Sequence, residues 1–214
     1  MLFKLLFPTE NFCYFCKDET PYLEGRLCRD CRDNYEPMHR GFLLRGESIE
    51  RVYASVFYNS FAREMVHQFK FNDKSYLYEP IGHMMYLTII EESLTDFDLI
   101  VPVPIHWRKE AIRGYNQSQL LAEEISRRTG IPVDKKSLVK SSWTKEQNRL
   151  TKYQREENLK GSFSIRNGAS MLGERILLID DIYTTGNTLK SCASQLKKAG
   201  AKEVTGLVFA TMNG

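Results

Sequence analysis

Asp180 and Asp181 stand side by side between Ile-Leu-Leu-Ile and Ile-Tyr-Thr-Thr-Gly-Asn-Thr, a run covering residues 176–188. Four apolar residues ahead of paired acids read as the carboxyl end of a buried strand, the edge where open α/β sheets bind ligands. Adjacent carboxylates repel unless a cation or hydroxyl donors stand between them. Ribose hydroxyls and Mg²⁺ offer both. Thr184, Thr185, Gly186, Asn187 and Thr188 are small, rich in hydroxyls, and lead into a helix N-terminus, whose N–H groups and dipole favour a phosphate dianion. Gly186 lets backbone approach ligand without a Cβ in the way. A diol-binding acidic pair beside a phosphate cup specifies a ribose 5-phosphate. The bland alternative is a strand–turn–helix junction in which Asp and Thr only cap; it leaves the joint fit of the run unexplained.

Four of the five cysteines form a second constellation: Cys13 and Cys16, then Cys28 and Cys31, two C-x₂-C pairs separated by eleven residues. Two such knuckles place four thiolates around a tetrahedral Zn²⁺ with sulfur about 2.3 Å from the metal. Pro21 and Gly25 suit a hairpin between them, and so short a module folds only with its metal. Disulfides would need an oxidising compartment, and a redox dithiol would need only one pair. A structural zinc site is the expectation. Cys192 reads as a small buried apolar residue.

The elements that must position these groups follow from patterning. Residues 48–58 are rich in β-branched and aromatic side chains and read as a strand or hairpin. Residues 60–71 repeat Phe61, Met65 and Phe69 on one helical face, with Ser60 as N-cap, and residues 76–92 read as a second helix. Residues 98–104 end in Val-Pro-Val-Pro, a short buried strand whose prolines leave the ladder. Residues 113–128 read as a helix with Leu120, Leu121 and Ile125 inward and Gly130 as its stop. Residues 141–159 are polar and weakly periodic, a long loop of the kind that is usually functional. Strand 175–182, helix 186–199 closed by Gly200, and strand 203–210 form a βαβ unit, which implies a parallel sheet. The expected organisation is a four-Cys zinc ribbon over 1–45 and an α/β domain over 46–214.

The 176–188 run resembles the PRPP (5-phosphoribosyl-1-pyrophosphate) motif of type I phosphoribosyltransferases with every position filled. The resemblance implies that Asp180 and Asp181 hold the ribose hydroxyls and that 184–188 hold the 5′-phosphate. It also implies that the loop after Val101-Pro-Val-Pro104 receives the pyrophosphate, with Arg108, Lys109 and Arg113 supplying positive charge; a solvated basic turn is the alternative. A lone His106 beside Trp107 reads as a packing or surface residue. Lys145, Gln147, Arg149, Leu150, Arg155 and Asn158 populate the long loop. Such loops close over the sugar in these enzymes, although the same side chains also suit nucleic-acid phosphates or plain solvation.

The whole pattern resembles the ComF family: the four-Cys ribbon, Val101-Pro-Val-Pro104, Arg113-Gly-Tyr-Asn-Gln117, the Arg-Leu-Thr and Arg-Glu-Glu-Asn of the loop, the Lys70-Phe71 pair and the PRPP motif. The fold it implies is a type I phosphoribosyltransferase-like, mostly parallel sheet flanked by helices, with the ribbon appended. The role it implies is handling of single-stranded DNA at the cytoplasmic face of the transformation machinery, with the competence DNA helicase and DNA-processing proteins as partners.

Composition fits but does not choose. In 214 residues, 42% apolar and 27% charged is ordinary for a globular chain, and a net charge of +3 is too small to prove a polyanion partner. No run of about 18 apolar residues is present to span a bilayer. Residues 1–8 are apolar but too short, and lack the charged start of a secretory signal. A cytoplasmic protein, at most peripheral to the membrane, is therefore expected. Two functions compete. One is a phosphoribosyltransferase transferring from PRPP with Mg²⁺ to a base, though no acceptor hood is legible. The other is a PRPP-binding module working on DNA, in which Lys17, Arg26, Arg29 and Arg32 with Tyr14, Phe15 and Tyr22 contact a single strand. Those aromatics serve equally to pack the ribbon on the body. A transcriptional regulator ranks last, because no helix-turn-helix is evident.

Overall fold

A computed structural model describes residues 11–44, 48–49, 51–71, 73–141 and 161–212. One sheet is built from β1 (Pro37–Leu43), β2 (Arg51–Phe57), β3 (Leu99–Pro102), β6 (Arg175–Tyr183) and β7 (Glu203–Thr211). Its strand order is β1-β2-β7-β6-β3. β2, β7, β6 and β3 run parallel, and β1 closes one edge antiparallel to β2. A separate two-stranded antiparallel pair joins β4 (Leu138–Lys140) to β5 (Phe163–Ile165).

Among the described residues a short helix, α1 (Arg29–Asp33), lies in the ribbon, and longer helices cover both faces of the sheet. α2 (Ser60–Phe71) buries Ala62, Met65, Val66 and Phe69, the i, i+3, i+4, i+7 stripe expected of a helix lying on a sheet. α3 (Tyr78–Glu91) and α5 (Gln117–Thr129) share that core with Leu177, Ile179, Leu207 and Phe209 of the central strands. On the other face α6 (Asn187–Lys198) packs Leu189, Cys192, Ala193 and Leu196 against Ile176, Leu178 and Val208, with Leu138 and Phe163 of the small pair. Cys192 is a buried apolar filler, as its sequence context suggests.

β3 and β6 are neighbours, yet the helices that follow them, α5 and α6, lie on opposite faces. That divergence opens a crevice at the carboxyl ends of the two strands. At their opposite ends Arg175 clamps Asp98 with both backbone and guanidinium donors, 2.9–3.1 Å, which sets the register of the pair.

Several boundaries differ from the sequence expectation. Asn59, not Ser60, caps α2: its Oδ1 accepts from Ala62 N at 2.9 Å. The helix expected over 113–128 is two. α4 (Trp107–Arg113) ends at Gly114, whose φ of +85° only glycine takes readily, and α5 starts after Asn116, whose side chain accepts from Ser118 N. Pro37–Leu43, placed with the ribbon by composition, hydrogen-bonds into the main sheet. The long-loop residues 145–158 lie outside the described residues.

Candidate functional site

The crevice at the end of β3 and β6 is a cleft of about 810 Å³. Asp180 and Asp181 form its floor, α2 supplies one wall through Arg63, His67 and Lys70, and the start of α5 supplies another through Gln117 and Ser118. Asp180 Oδ1 accepts from Ser118 Oγ at 2.9 Å and from Asp181 N at 2.9 Å. Lys70 Nζ lies 2.5 Å from Asp181 Oδ2, with both side chains largely buried. Burial and then the adjacent charge of Asp181 push the Asp180 carboxyl up to about 7, although Lys70, the Asp181 N–H and Ser118 act against the shift. A carboxylate pair in this setting stores unfavourable charge that a divalent cation or diol donors relieve.

Beyond the aspartates the chain reverses over a glycine. Gly186 has φ +74°, and a Cβ there would come within 2.7 Å of the Tyr183 ring. Tyr183 is itself held by an edge contact with Phe42, centroids 4.9 Å apart. Side-chain capping is absent at Gly186, so α6 starts without it. Thr184 and Thr185 are exposed, Asn187 and Thr188 half-buried, and Thr188 reaches the cleft wall. Of the three basic residues singled out after β3, Lys109 and Arg113 line the cleft. Arg108 does not; its guanidinium lies over the Trp107 ring, 5.1 Å from the centroid.

The four cysteines converge in the ribbon. Their sulfurs all lie within 4.8 Å of one another, and Cys16 Sγ and Cys28 Sγ are 3.7 Å apart, against about 3.8 Å for the edge of a tetrahedron with 2.3 Å metal–sulfur bonds. Cys28 Sγ also accepts from Cys31 N at 3.4 Å, the N–H···S contact of a knuckle. Burial pushes the Cys16 thiol up to about 12 and raises Cys31 further. At Cys13 burial is outweighed by backbone N–H donors of Cys28, Cys16 and Phe15, which hold that thiol down to about 7. The donor set, spacing and burial fit a structural metal site.

The family described as "Phosphoribosyl transferase domain" matches residues 116–213. Competence protein F of Haemophilus influenzae is 28% identical over 90% of this chain and 81% of its own length. Competence protein ComFC of Bacillus subtilis is 29% identical over 92% and 82%. DNA utilization protein YhgH of Escherichia coli is 30% identical over 65% and 63%. The chain is similar to proteins of the ComF family over nine-tenths of its length. Its α/β body has the type I phosphoribosyltransferase fold, with the four-cysteine cluster near the N-terminus.

Within the chain the ribbon resolves an alternative the sequence left open. Tyr14 packs edge-on against Tyr76 with centroids 5.4 Å apart, and Phe15 against Phe61 at 4.5 Å. Lys17 lies over Tyr76, Arg26 pairs with Glu79 at 2.8 Å, and Arg32 pairs with Glu24. Gly25 sits so close to His83 that a Cβ would clash with its ring. Tyr14, Phe15, Lys17 and Arg26 thus dock the ribbon onto α2, the turn at Tyr76 and the start of α3, while Arg32 pairs inside the ribbon and Tyr22 stays exposed. His106 is a positioning residue: buried, it accepts from Arg108 N at 3.2 Å and caps α4. Burial, then Arg108 and Lys140, lower its pKa, which keeps the accepting nitrogen unprotonated.

Lys70, Gln117, Ser118 and Lys140 are among the cleft residues to which motif reading gave no role, although Gln117 ends the Arg113-Gly-Tyr-Asn-Gln117 element. For Lys70 the one available signal was its place in the family's Lys-Phe element. No helix among the described residues is long and apolar enough to cross a membrane.

Proposed function

We propose that this protein binds PRPP with Mg²⁺ in the cleft and serves in the handling of transforming single-stranded DNA at the cytoplasmic side of the uptake machinery. The observation that carries the ligand is the Asp180–Asp181 pair at the head of β6, partnered by Ser118 and Lys70 and followed by the glycine-opened start of α6. Asp180 and Asp181 accept from the ribose hydroxyls, and Mg²⁺ adds the positive charge the pair lacks. Thr184, Thr185, Gly186, Asn187 and Thr188 hold the 5′-phosphate. Lys109 and Arg113 meet the pyrophosphate, and Zn²⁺ on Cys13, Cys16, Cys28 and Cys31 is structural. The DNA role follows the two competence-named relatives, which match over nine-tenths of the chain. The competence DNA helicase and DNA-processing proteins are its expected partners.

The cleft is larger than a phosphoribosyl group needs, and Tyr58, His67 and Phe71 line it beyond the aspartates. This favours a second reading, transfer of the phosphoribosyl group to a base or nucleic-acid acceptor. In that case the protein's work is to stabilise charge on the ribosyl cation and the leaving pyrophosphate.

The deciding experiment is a thermal shift of the zinc-loaded protein with PRPP and Mg²⁺, with ribose 5-phosphate and pyrophosphate as controls. PRPP at a hundred times its Kd adds about 2.7 kcal/mol, a rise of about 5 to 11 °C for a chain of this size. No shift with PRPP overturns the ligand assignment. Pyrophosphate release on addition of bases would establish the second reading.

A further inference from the structure

α4 (Trp107–Arg113) buries none of its residues. It is held by its ends: the His106 cap at one, and at the other the left-handed Gly114, whose N–H donates to Glu110 O at 2.7 Å. A short helix with no fully buried residue forms here because local capping favours it, and it displays an exposed Trp107, 64% accessible, and Ile112, 83% accessible. Its sequence, Trp-Arg-Lys-Glu-Ala-Ile-Arg, carries three cations against one acid. The cations are ordered about aromatic faces. Arg108 lies over Trp107, and across the cleft mouth Arg113 lies over Phe71, 5.3 Å from a ring that is 58% exposed. Lys109 and Arg113 face the cleft between these two platforms.

From this arrangement we infer that α4, with Phe71 opposite, is the surface on which the protein holds single-stranded nucleic acid, with Trp107 stacking on a base and Arg108 meeting a backbone phosphate. Alternating aromatic faces and cations match the alternating bases and phosphates of a single strand. A lipid surface fits less well, because the Phe71–Arg113 half of the array lies at a concave mouth. The ribbon fits less well because Tyr14 and Phe15 are spent on docking. The inference rests on the DNA-handling role proposed above and names the surface that performs it.

The test uses the full chain and oligo(dT) as probe. Of the two tryptophans, Trp143→Phe leaves Trp107 as the sole reporter, and its emission should be quenched on binding. Trp107→Ala should weaken binding roughly tenfold, within the range for removing one ring from under a base. Trp107→Phe should recover most of it, with Tm and the PRPP shift unchanged in both. Arg108→Glu should flatten the dependence of log K on log salt by about 0.7 for each phosphate no longer neutralised. Full affinity in Trp107→Ala, with weaker binding in Lys17→Glu/Arg29→Glu, returns the strand to the ribbon. It overturns this inference and leaves the DNA role standing. Absence of oligo(dT) binding by the wild-type chain sinks the DNA role itself. Binding to phosphatidylserine vesicles that Trp107→Ala abolishes, with oligo(dT) binding intact, assigns the surface to lipid and overturns the inference as well.

Discussion

Lys70 Nζ lies 2.5 Å from Asp181 Oδ2, so the last turn of α2 places a cation on the acidic pair at the head of β6. The pair is mostly shielded from water, with 22% of the Lys70 side chain and 10% of the Asp181 side chain accessible. Breaking such a pair from one side strands the other charge. Lys70→Met should therefore lower unfolding free energy by about 3 kcal/mol, and adding Asp181→Asn should restore most of it. A double-mutant cycle in urea checks this; additive losses would show that the two side chains do not interact.

Asp180→Asn with Asp181→Asn should abolish the PRPP-dependent rise in Tm while zinc content stays as in the wild type. Neither side chain touches the ribbon, so the two readouts separate ligand loss from misfolding. Undiminished PRPP affinity in this double variant would refute the site.

The elevated Asp180 carboxyl makes two opposite pH dependences. Its folded pKa, about 7, lies above the ordinary 3.8. The neutral form thus contributes stability that is present in full below about 3.8 and lost as pH rises through 7. Unliganded stability should fall across that window, and Asp180→Asn should flatten the slope. Mg²⁺–PRPP requires the ionised pair, so its affinity should rise over the same window, with proton release near pH 6. Titration calorimetry in buffers of different ionisation enthalpy reads that release directly. Affinity that is flat from pH 6 to 8 would place the ligand elsewhere.

The metal should be separable from the ligand. Zinc should bind at about one ion per chain and be absent in Cys13→Ser. Chelation should expose residues 11–36 to proteolysis, because the contacts of Tyr14 with Tyr76 and Phe15 with Phe61 need a folded ribbon. The PRPP shift should survive, since the cleft-lining residues among those described lie from Tyr58 onward. Loss of the shift on chelation would show that the ribbon props up the cleft.

Much of this molecule is decided locally and was legible as sequence. The paired C-x₂-C knuckles, the strand and helix segments of the β6–α6–β7 unit, the inward stripe of α2 and the left-handed glycines Gly130 and Gly200 after α5 and α6 depend on neighbours a few residues apart. Their chemistry follows from spacing alone. Tertiary structure decided the rest, because it concerns groups that meet only when elements cross. Lys70 and Ser118 reach the aspartates through the placement of α2 and α5 on one face. The phase of α4 sends Lys109 and Arg113 into the cleft and leaves Arg108 on Trp107, three cations that are equivalent in sequence. Sequence left Tyr14 and Phe15 open between stacking on a strand and packing on the body, and the rings of Tyr76 and Phe61 decide for packing. Periodicity reports which face of an element is apolar. It carries no information on which other element will cover that face, and burial in the folded chain settles that.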